Sequence, residues 1–286
     1  GKTALSLEVA QVLDGEIISM DSRQVYRGMD IGTDKVAPED RARVPHHGLD
    51  LVDPDQRYSA GRFARDVRRL APEIRTRGRV PILVGGTGFF LRSVLRPIFA
   101  EPRMDPDRKR RLRRWLGRQP RERLERWVRR LDPARAEVAV EGGPQRMGRT
   151  LEVTLLSGRP LSWWHREAEP DGEALDGVVV VLELSREEVD RRIEDRAEDM
   201  VRRGLVDEVR RLVEAGYDEE DPGMTGTGYR EILAHLRGDC SVEEAVGEIQ
   251  ANTRRYARRQ LTWFRNQLSE DAVRIDATLP ADEQLQ

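Results

Sequence analysis

Apolar residues recur at helical spacing at Ala4, Leu5, Leu7, Val9, Ala10 and Leu13, which predicts an amphipathic helix directly behind Gly1-Lys2-Thr3. A short apolar run at 16–20 (EIISM) reads as a strand that ends at Asp21. Residues 60–77 repeat the helical pattern, with Phe63, Val67, Leu70, Ala71 and Ile74 on one side. A second strand is predicted at 80–84, turned by Gly85-Gly86-Thr87-Gly88 into a helix over 89–95. Residues 97–106 form a proline-punctuated linker. Two helices broken at Pro120 follow, with Leu112, Trp115, Leu116 and then Leu124, Trp127, Val128, Leu131 facing inward. The continuous apolar run at 178–184 (VVVVLEL) predicts a strand buried on both faces, back in the main sheet. Residues 186–203 read as helix and 216–228 as turns. The last long helix spans 242–264, with Val242, Ala245, Ile249, Tyr256 and Phe264 as its inner stripe.

Strands alternating with helices define an α/β core over 1–106 and 172–286, interrupted by a helical insertion over 107–171. At 286 residues and 38% hydrophobic content, one good core and a smaller second unit are the expectation. No apolar run reaches the ~18 residues of a membrane span, and no signal peptide is recognisable. Cys240 is the only cysteine, which excludes a disulfide framework or a thiolate zinc cluster and makes a reducing cytoplasm the expected compartment.

Net charge is −2, but it is unevenly spread. Residues 103–130 hold 13 basic against 4 acidic side chains, and residues 250–267 hold five arginines and no carboxylate. Two cationic zones on an acidic body fit a polyanion such as RNA held at defined places. A GC-rich genome would explain why only Lys2, Lys35 and Lys109 are lysines, but it would not explain the clustering.

The head of the first helix reads as the second half of a G-x-x-x-x-G-K-[ST] phosphate loop, whose strand and first glycine are expected upstream of Gly1. Helix N-terminal amides attract phosphate; an ordinary helix start is the competing reading. Asp21 sits where α/β sheets bind ligands, at the carboxyl end of a strand, and a helix N-cap is its alternative. Gly85-Gly86-Thr87 allows close backbone approach to a phosphate with a hydroxyl at hand, although paired glycines also make plain turns. His46 and His47 are neighbours that point to different sides, so a structural role is expected rather than a shared metal.

Several of these pieces coincide. The leading GKT, DSRQVYRGMDIGT (21–33), HHGLDLVDP (46–54), YSAGRF (58–63), VGGTGFFL (84–91) and TRRYARRQLTWFRN (253–266) together resemble the tRNA dimethylallyltransferase family, over nearly the whole chain. The resemblance implies a phosphate-loop-type α/β core with a helical insertion, acting as a monomer. Its substrates would be the tRNA anticodon arm and dimethylallyl diphosphate, with the adenine at tRNA position 37 flipped into a channel. Gly1, Lys2 and Thr3 then match the diphosphate-binding loop, with Thr3 as ligand of Mg2+. Asp21 matches the general base on the adenine amine, and Ser22, Arg23 and Gln24 the adjacent base contacts. Thr87 matches the hydroxyl that meets the bridging oxygen of the diphosphate, and Arg196 an arginine that clamps it. Gln145, Arg146, Met147, Gly148 and Arg149 resemble a QR-x-x-R element that touches tRNA, and Lys109 a further RNA contact.

Two segments depart from the family pattern. MTGTGYRE (224–231) is richer in glycine, and Glu141-Gly142-Gly143-Pro144 replaces the usual approach to QR-x-x-R. Three rivals compete. An adenylate isopentenyltransferase acting on free AMP, ADP or ATP has no use for the arginine-rich insertion. A small-molecule kinase gives DSRQVY and the C-terminal basic helix no role. A non-catalytic RNA-binding module leaves Lys2, Thr3, Asp21 and Thr87 unexplained.

Overall fold

The computed structural model describes residues 2–268 and 270–284; the expectation for Gly1 lies outside the described residues. The chain runs α1 (Lys2–Val12), β1 (Gly15–Ser19), α2 (Pro38–Arg43), β2 (His46–His47), α3 (Ala60–Thr76), β3 (Val80–Val84) and α4 (Gly88–Leu95). Five helices follow: α5 (Pro106–Gly117), α6 (Arg121–Leu131), α7 (Ala136–Glu141), α8 (Gly143–Ser157) and α9 (Leu161–Glu167). Then come β4 (Val180–Glu183), α10 (Arg186–Arg202), α11 (Leu205–Glu214), α12 (Tyr229–Leu236), α13 (Val242–Gln267), β5 (Val273–Asp276) and α14 (Ala281–Gln284). Two compact units result, Gly1–Arg96 with Ala174–Gln286, and Pro97–Glu173.

In the first unit β1 is the central strand of a parallel sheet ordered β2-β1-β3. All five of its residues are buried. Side chains alternate across a strand, so Ile17 packs with Leu7, Ala10 and Val44 on one face while Ile18 packs with Phe63, Val67 and Phe90 on the other. Parallel strands need a crossover, and α3 supplies the one between β2 and β3. Ser19 stands opposite Val84, so the carboxyl ends of β1 and β3 are neighbours. That adjacency places the loops after both strands at one edge.

β4 pairs with β5 in a separate two-stranded parallel sheet. This corrects the expectation of a strand enclosed on both faces within the main sheet. Val178 is 82% exposed and precedes the strand, because among the described residues β4 has only β5 as a partner.

A second layer packs α10 to α13 on the loop that follows Asp21. Val25, Tyr26, Met29 and Val52 share a core with Met200, Leu205, Val209, Met224, Ile232 and Ile249. Two buried charges fix this loop. Glu208 accepts hydrogen bonds from the backbone N–H groups of Asp30, Ile31 and Gly32 at 3.0, 2.8 and 3.1 Å, and from the Tyr229 hydroxyl at 2.6 Å. Lys35, with no exposed side-chain surface, pairs with Asp30 and Asp50 at 2.6 Å each and donates to the Tyr26 carbonyl. Buried charges persist when they are paired and hydrogen-bonded.

The second unit is a helical cluster with its own core of Leu116, Leu124, Val128, Ala136, Ala139, Met147 and Leu151. Pro120 sits at the N-cap of α6, which accounts for the break before that helix. No helix among the described residues is long and apolar enough to cross a membrane.

Candidate active site

The candidate chemistry gathers where β1 and β3 end. Gly85 passes so close to β1 that an added Cβ would lie 2.1 Å from the Met20 carbonyl oxygen, so only glycine fits there. Thr87 follows at the N-cap of α4, yet its hydroxyl makes no cap bond to that helix. It accepts instead from the backbone N–H of Ser22 at 3.2 Å.

Asp21 is not a helix cap. Residues 22–25 form turns, and Asp21 Oδ1 accepts the Arg23 backbone N–H at 2.7 Å, an Asx-turn. Among the described residues its other oxygen carries no hydrogen bond. Arg23 donates to the Pro222 carbonyl at 2.8 Å and reaches Thr225 at 3.4 Å, so the glycine-rich segment after Asp221 is anchored to the loop after β1. Gln24 is turned inward. It accepts from Ser19 Oγ at 2.8 Å and donates to the carbonyls of Thr33 and Asp34 at 3.2 Å each, which makes it a brace for the loop.

Lys2 and Thr3 head α1, both exposed, and Ser6 Oγ donates to the Thr3 carbonyl at 2.9 Å. The Lys2 ammonium lies among Arg196, Asp21 and Asp34. Protein crowding that limits its hydration pushes its pKa down and Arg196 adds to that, while Asp21 and Asp34 oppose. Arg196 pairs with Asp34 at 3.3 Å and remains over half exposed. Lys2, Asp21, Thr87 and Arg196, scattered through the sequence, thus belong to one unit and one electrostatic neighbourhood.

The helix α13 closes this group, and the sequence pattern misassigned its role. Tyr256, predicted for the inner stripe, is 43% exposed. Burial of its polar end, then the charge of Asp21, pushes its pKa up, while the Thr87 and Gln260 side chains nearby oppose. Gln260 Nε2 donates to the Gly86 carbonyl at 2.6 Å. Trp263 lies against Gly88, where an added Cβ would fall 2.3 Å from the indole. The signal for this docking was present in two motifs, the paired glycines after β3 and the amide and aromatics of α13, but nothing in either names the other. Among the α13 arginines, Arg254 pairs with Glu194 at 2.7 Å, whereas Arg255, Arg258 and Arg259 are exposed.

His47 Nε2 meets Glu16 at 2.6 Å and His46 Nδ1 meets the Val44 carbonyl at 2.7 Å, so the two rings have separate structural partners. Among the described residues no group of three or more His, Cys, Asp or Glu could hold a metal ion.

In the second unit the QR-x-x-R element lies on the first turns of α8. Gln145 and Arg146 are exposed and Gly148 is half-buried. Met147 is fully buried, and its side chain packs in the helical core. Arg149 pairs with Glu152 at 2.6 Å and Glu101 at 3.1 Å; Lys109 pairs with Glu101 at 2.5 Å; Arg113 pairs with Glu152. Glu152 is buried, so it presets the directions of these cations.

A parallel sheet whose carboxyl edge carries a helix N-terminus, two cations, a carboxylate and a hydroxyl defines a phosphate-loop-type α/β transferase. The family described as IPP transferase matches residues 24–267, and this chain belongs to it. The tRNA dimethylallyltransferase of Syntrophobacter fumaroxidans is 43% identical over 268 residues, covering 93% of this chain and 78% of that protein. That of Geobacter metallireducens is 43% identical over 265 residues, covering 93% and 86%. Among solved structures, the tRNA isopentenylpyrophosphate transferase of Bacillus halodurans superposes with a TM-score of 0.70 at 34% identity, covering 100% of this chain and 89% of that one. A eukaryotic dimethylallyltransferase acting on tRNA gives a TM-score of 0.80 at 27% identity, covering 97% and 71%.

Proposed function

We propose that this chain transfers the dimethylallyl group of dimethylallyl diphosphate to the exocyclic amine of the adenine at position 37 of tRNA, releasing diphosphate. The observation that carries the reading is the placement of Lys2 beside both Arg196 and Asp21, at the edge where Thr87 also stands. The amine nitrogen bonds to the allylic carbon, the carbon–oxygen bond breaks, and diphosphate leaves with the electron pair. The amine proton passes to the free oxygen of Asp21. Breaking an allylic carbon–oxygen bond concentrates negative charge on the departing diphosphate, and preorganised donors stabilise such charge most effectively. Lys2, Arg196 and the amides heading α1 serve that end, the guanidinium offering two parallel donors. Thr87 donates to the bridging oxygen.

Mg2+, when bound, neutralises diphosphate charge. Thr3 would hold it, and a site with so few protein donors fits an ion that keeps waters and substrate oxygens as its other ligands. The target base must leave its stack to reach Asp21, at a cost of a few kcal/mol that is lower in a loop. Ser22 and Arg23 flank its path. The cationic surface of α5, with Gln145, Arg146, Arg149 and Lys109, holds the anticodon arm through phosphate contacts. A monomer working in the cytoplasm completes the reading.

Incubating the protein with dimethylallyl diphosphate and either unmodified tRNA or free AMP tests it. A mass gain of one C5H8 unit on tRNA adenine is the expected result. Prenylation of AMP alone would turn the assignment to the adenylate enzyme.

A further inference from the structure

In the helical unit two carboxylates share three cations, and the two differ in depth. Glu152, on α8 and 1% exposed, pairs with Arg149 of its own helix at 2.6 Å and with Arg113 of α5 through both carboxylate oxygens. Lys109, one turn earlier on α5, stands 4.0 Å from the same carboxylate. A buried charge persists only when it is paired, so Glu152 fixes these cations from within. Glu101, in the linker before α5, meets them from outside, with 36% of its side chain exposed. A single oxygen, Oε1, accepts from Lys109 Nζ at 2.5 Å and from Arg149 Nη1 at 3.1 Å. Burial pushes the Glu101 carboxyl up, but Arg149 and then Lys109 outweigh it and hold the group below the usual carboxylate range. Glu101 is therefore charged at neutral pH. Two cationic donors from two helices that meet on one solvent-facing anionic oxygen reproduce what a phosphate oxygen would accept. Three cations against two carboxylates leave a charge of +1, which becomes +2 when Glu101 swings away.

We propose that Lys109 and Arg149 form one phosphodiester site for the tRNA backbone, held in the free protein by Glu101 and vacated by it when the RNA phosphate arrives. The inference rests on the reading of this unit as the holder of the anticodon arm. The exchange keeps the cations paired throughout, since each gives up one carboxylate oxygen and gains one phosphate oxygen. A partly exposed ion pair contributes little to stability, so Glu101 leaves at small cost. Glu152 and Arg113 stay in place beneath, and the two outer cations keep their direction. Affinity for tRNA is lower than Lys109 and Arg149 alone would give, because Glu101 already occupies them.

The test is binding of unmodified tRNA by Glu101→Gln across a salt series. Gln keeps the length and an acceptor oxygen and removes only the charge. The expected result is an affinity roughly two- to fivefold higher, the range of one exposed ion pair. The salt slope should stay the same, because the same phosphates are contacted. With Lys109→Gln and Arg149→Gln added, Glu101→Gln should bring no gain. A gain that persists in that background would make Glu101 a general repeller of RNA and overturn the proposal. Unchanged or weaker binding by Glu101→Gln alone would also overturn it, and mark Glu101 as a brace for the two cations. So would a steeper slope, the sign that Glu101 bars the phosphate and does not yield to it. If Lys109→Gln with Arg149→Gln leaves the affinity and slope of the native chain untouched, the underlying reading of the unit as RNA holder fails, and the inference with it.

Discussion

The backbone N–H of Ser22 donates to Thr87 Oγ1 at 3.2 Å, across 65 residues of chain. The bond joins the loop after β1 to the loop after β3 and sets the proposed base and the proposed leaving-group donor side by side. Neither loop could place its residue alone. Asp21 is held by its own Asx-turn and Thr87 by the close passage of Gly85 along Met20, and the shared bond couples the two.

Asp21→Asn separates chemistry from scaffolding. An asparagine oxygen can still accept the Arg23 N–H, so the Asx-turn survives and tRNA affinity should change by less than roughly tenfold, about 1.4 kcal/mol. The proton acceptor is lost, so single-turnover prenylation at saturating tRNA should slow by ~10²-fold or more. Near-native turnover would leave Asp21 with the loop geometry alone.

Arg196→Ala should raise the KM for dimethylallyl diphosphate and lower kcat together, because the guanidinium meets charge already present and charge still developing. A lost hydrogen bond to a charged group is worth ~1.5–3 kcal/mol, or about 10- to 10²-fold in kcat/KM. A loss in KM alone would assign Arg196 to ground-state binding only.

The arginines of α5 and its C-cap divide into two groups with different outcomes. Arg111, Arg114 and Arg118 are exposed, and changing all three to Gln should lower tRNA affinity and flatten its salt dependence by roughly 0.7–0.9 in slope per lost phosphate contact. Arg113 pairs with buried Glu152, so Arg113→Gln should show chiefly in the thermal midpoint. Unchanged salt slopes in the triple mutant would remove this face from the RNA contact.

Gly88→Ala should misplace α13. The added methyl falls 2.3 Å from the Trp263 indole, and overpacking of this kind costs about 1–3 kcal/mol. Denaturant titration would measure it, and a neutral result would mean that the indole can swing away.

Glu16 predicts the acid limb of stability. Its hydrogen bonds to Arg77, and then to His47, hold its carboxyl down at about 2 against burial that pushes it up. A folded-state pKa below the unfolded value stabilises the fold above the unfolded pKa and loses that contribution as pH falls through the folded one. The difference in thermal midpoint between the native protein and Glu16→Gln should therefore be full near neutrality and shrink from about pH 4.5 down to about pH 2. A constant difference would show that the loss is one of packing.

Much of this was legible in the chain before folding. The period-3.6 stripe of α3, the apolar run of β3 and the break at Pro120 are local patterns, and local sterics and burial enforce them within a few residues. The motifs around Asp21 and Thr87 were equally legible, because their residue types carry the chemistry. Three readings needed the fold. Met147 looked like part of a contact motif but is core, since a helix turns each successive side chain by about 100° and only some of QR-x-x-R can face outward. The apolar run before Leu184 looked enclosed, but burial depends on which strands lie alongside, and those are set by distant sequence. Tyr256 looked like core because its spacing fits the inner stripe of α13. It is instead 43% exposed, because α13 docks through Gln260 on the Gly86 carbonyl and through Trp263 against Gly88. Periodicity reports which side of a helix is apolar; it carries no information about which loop that side will meet, since such contacts form only when separate segments pack.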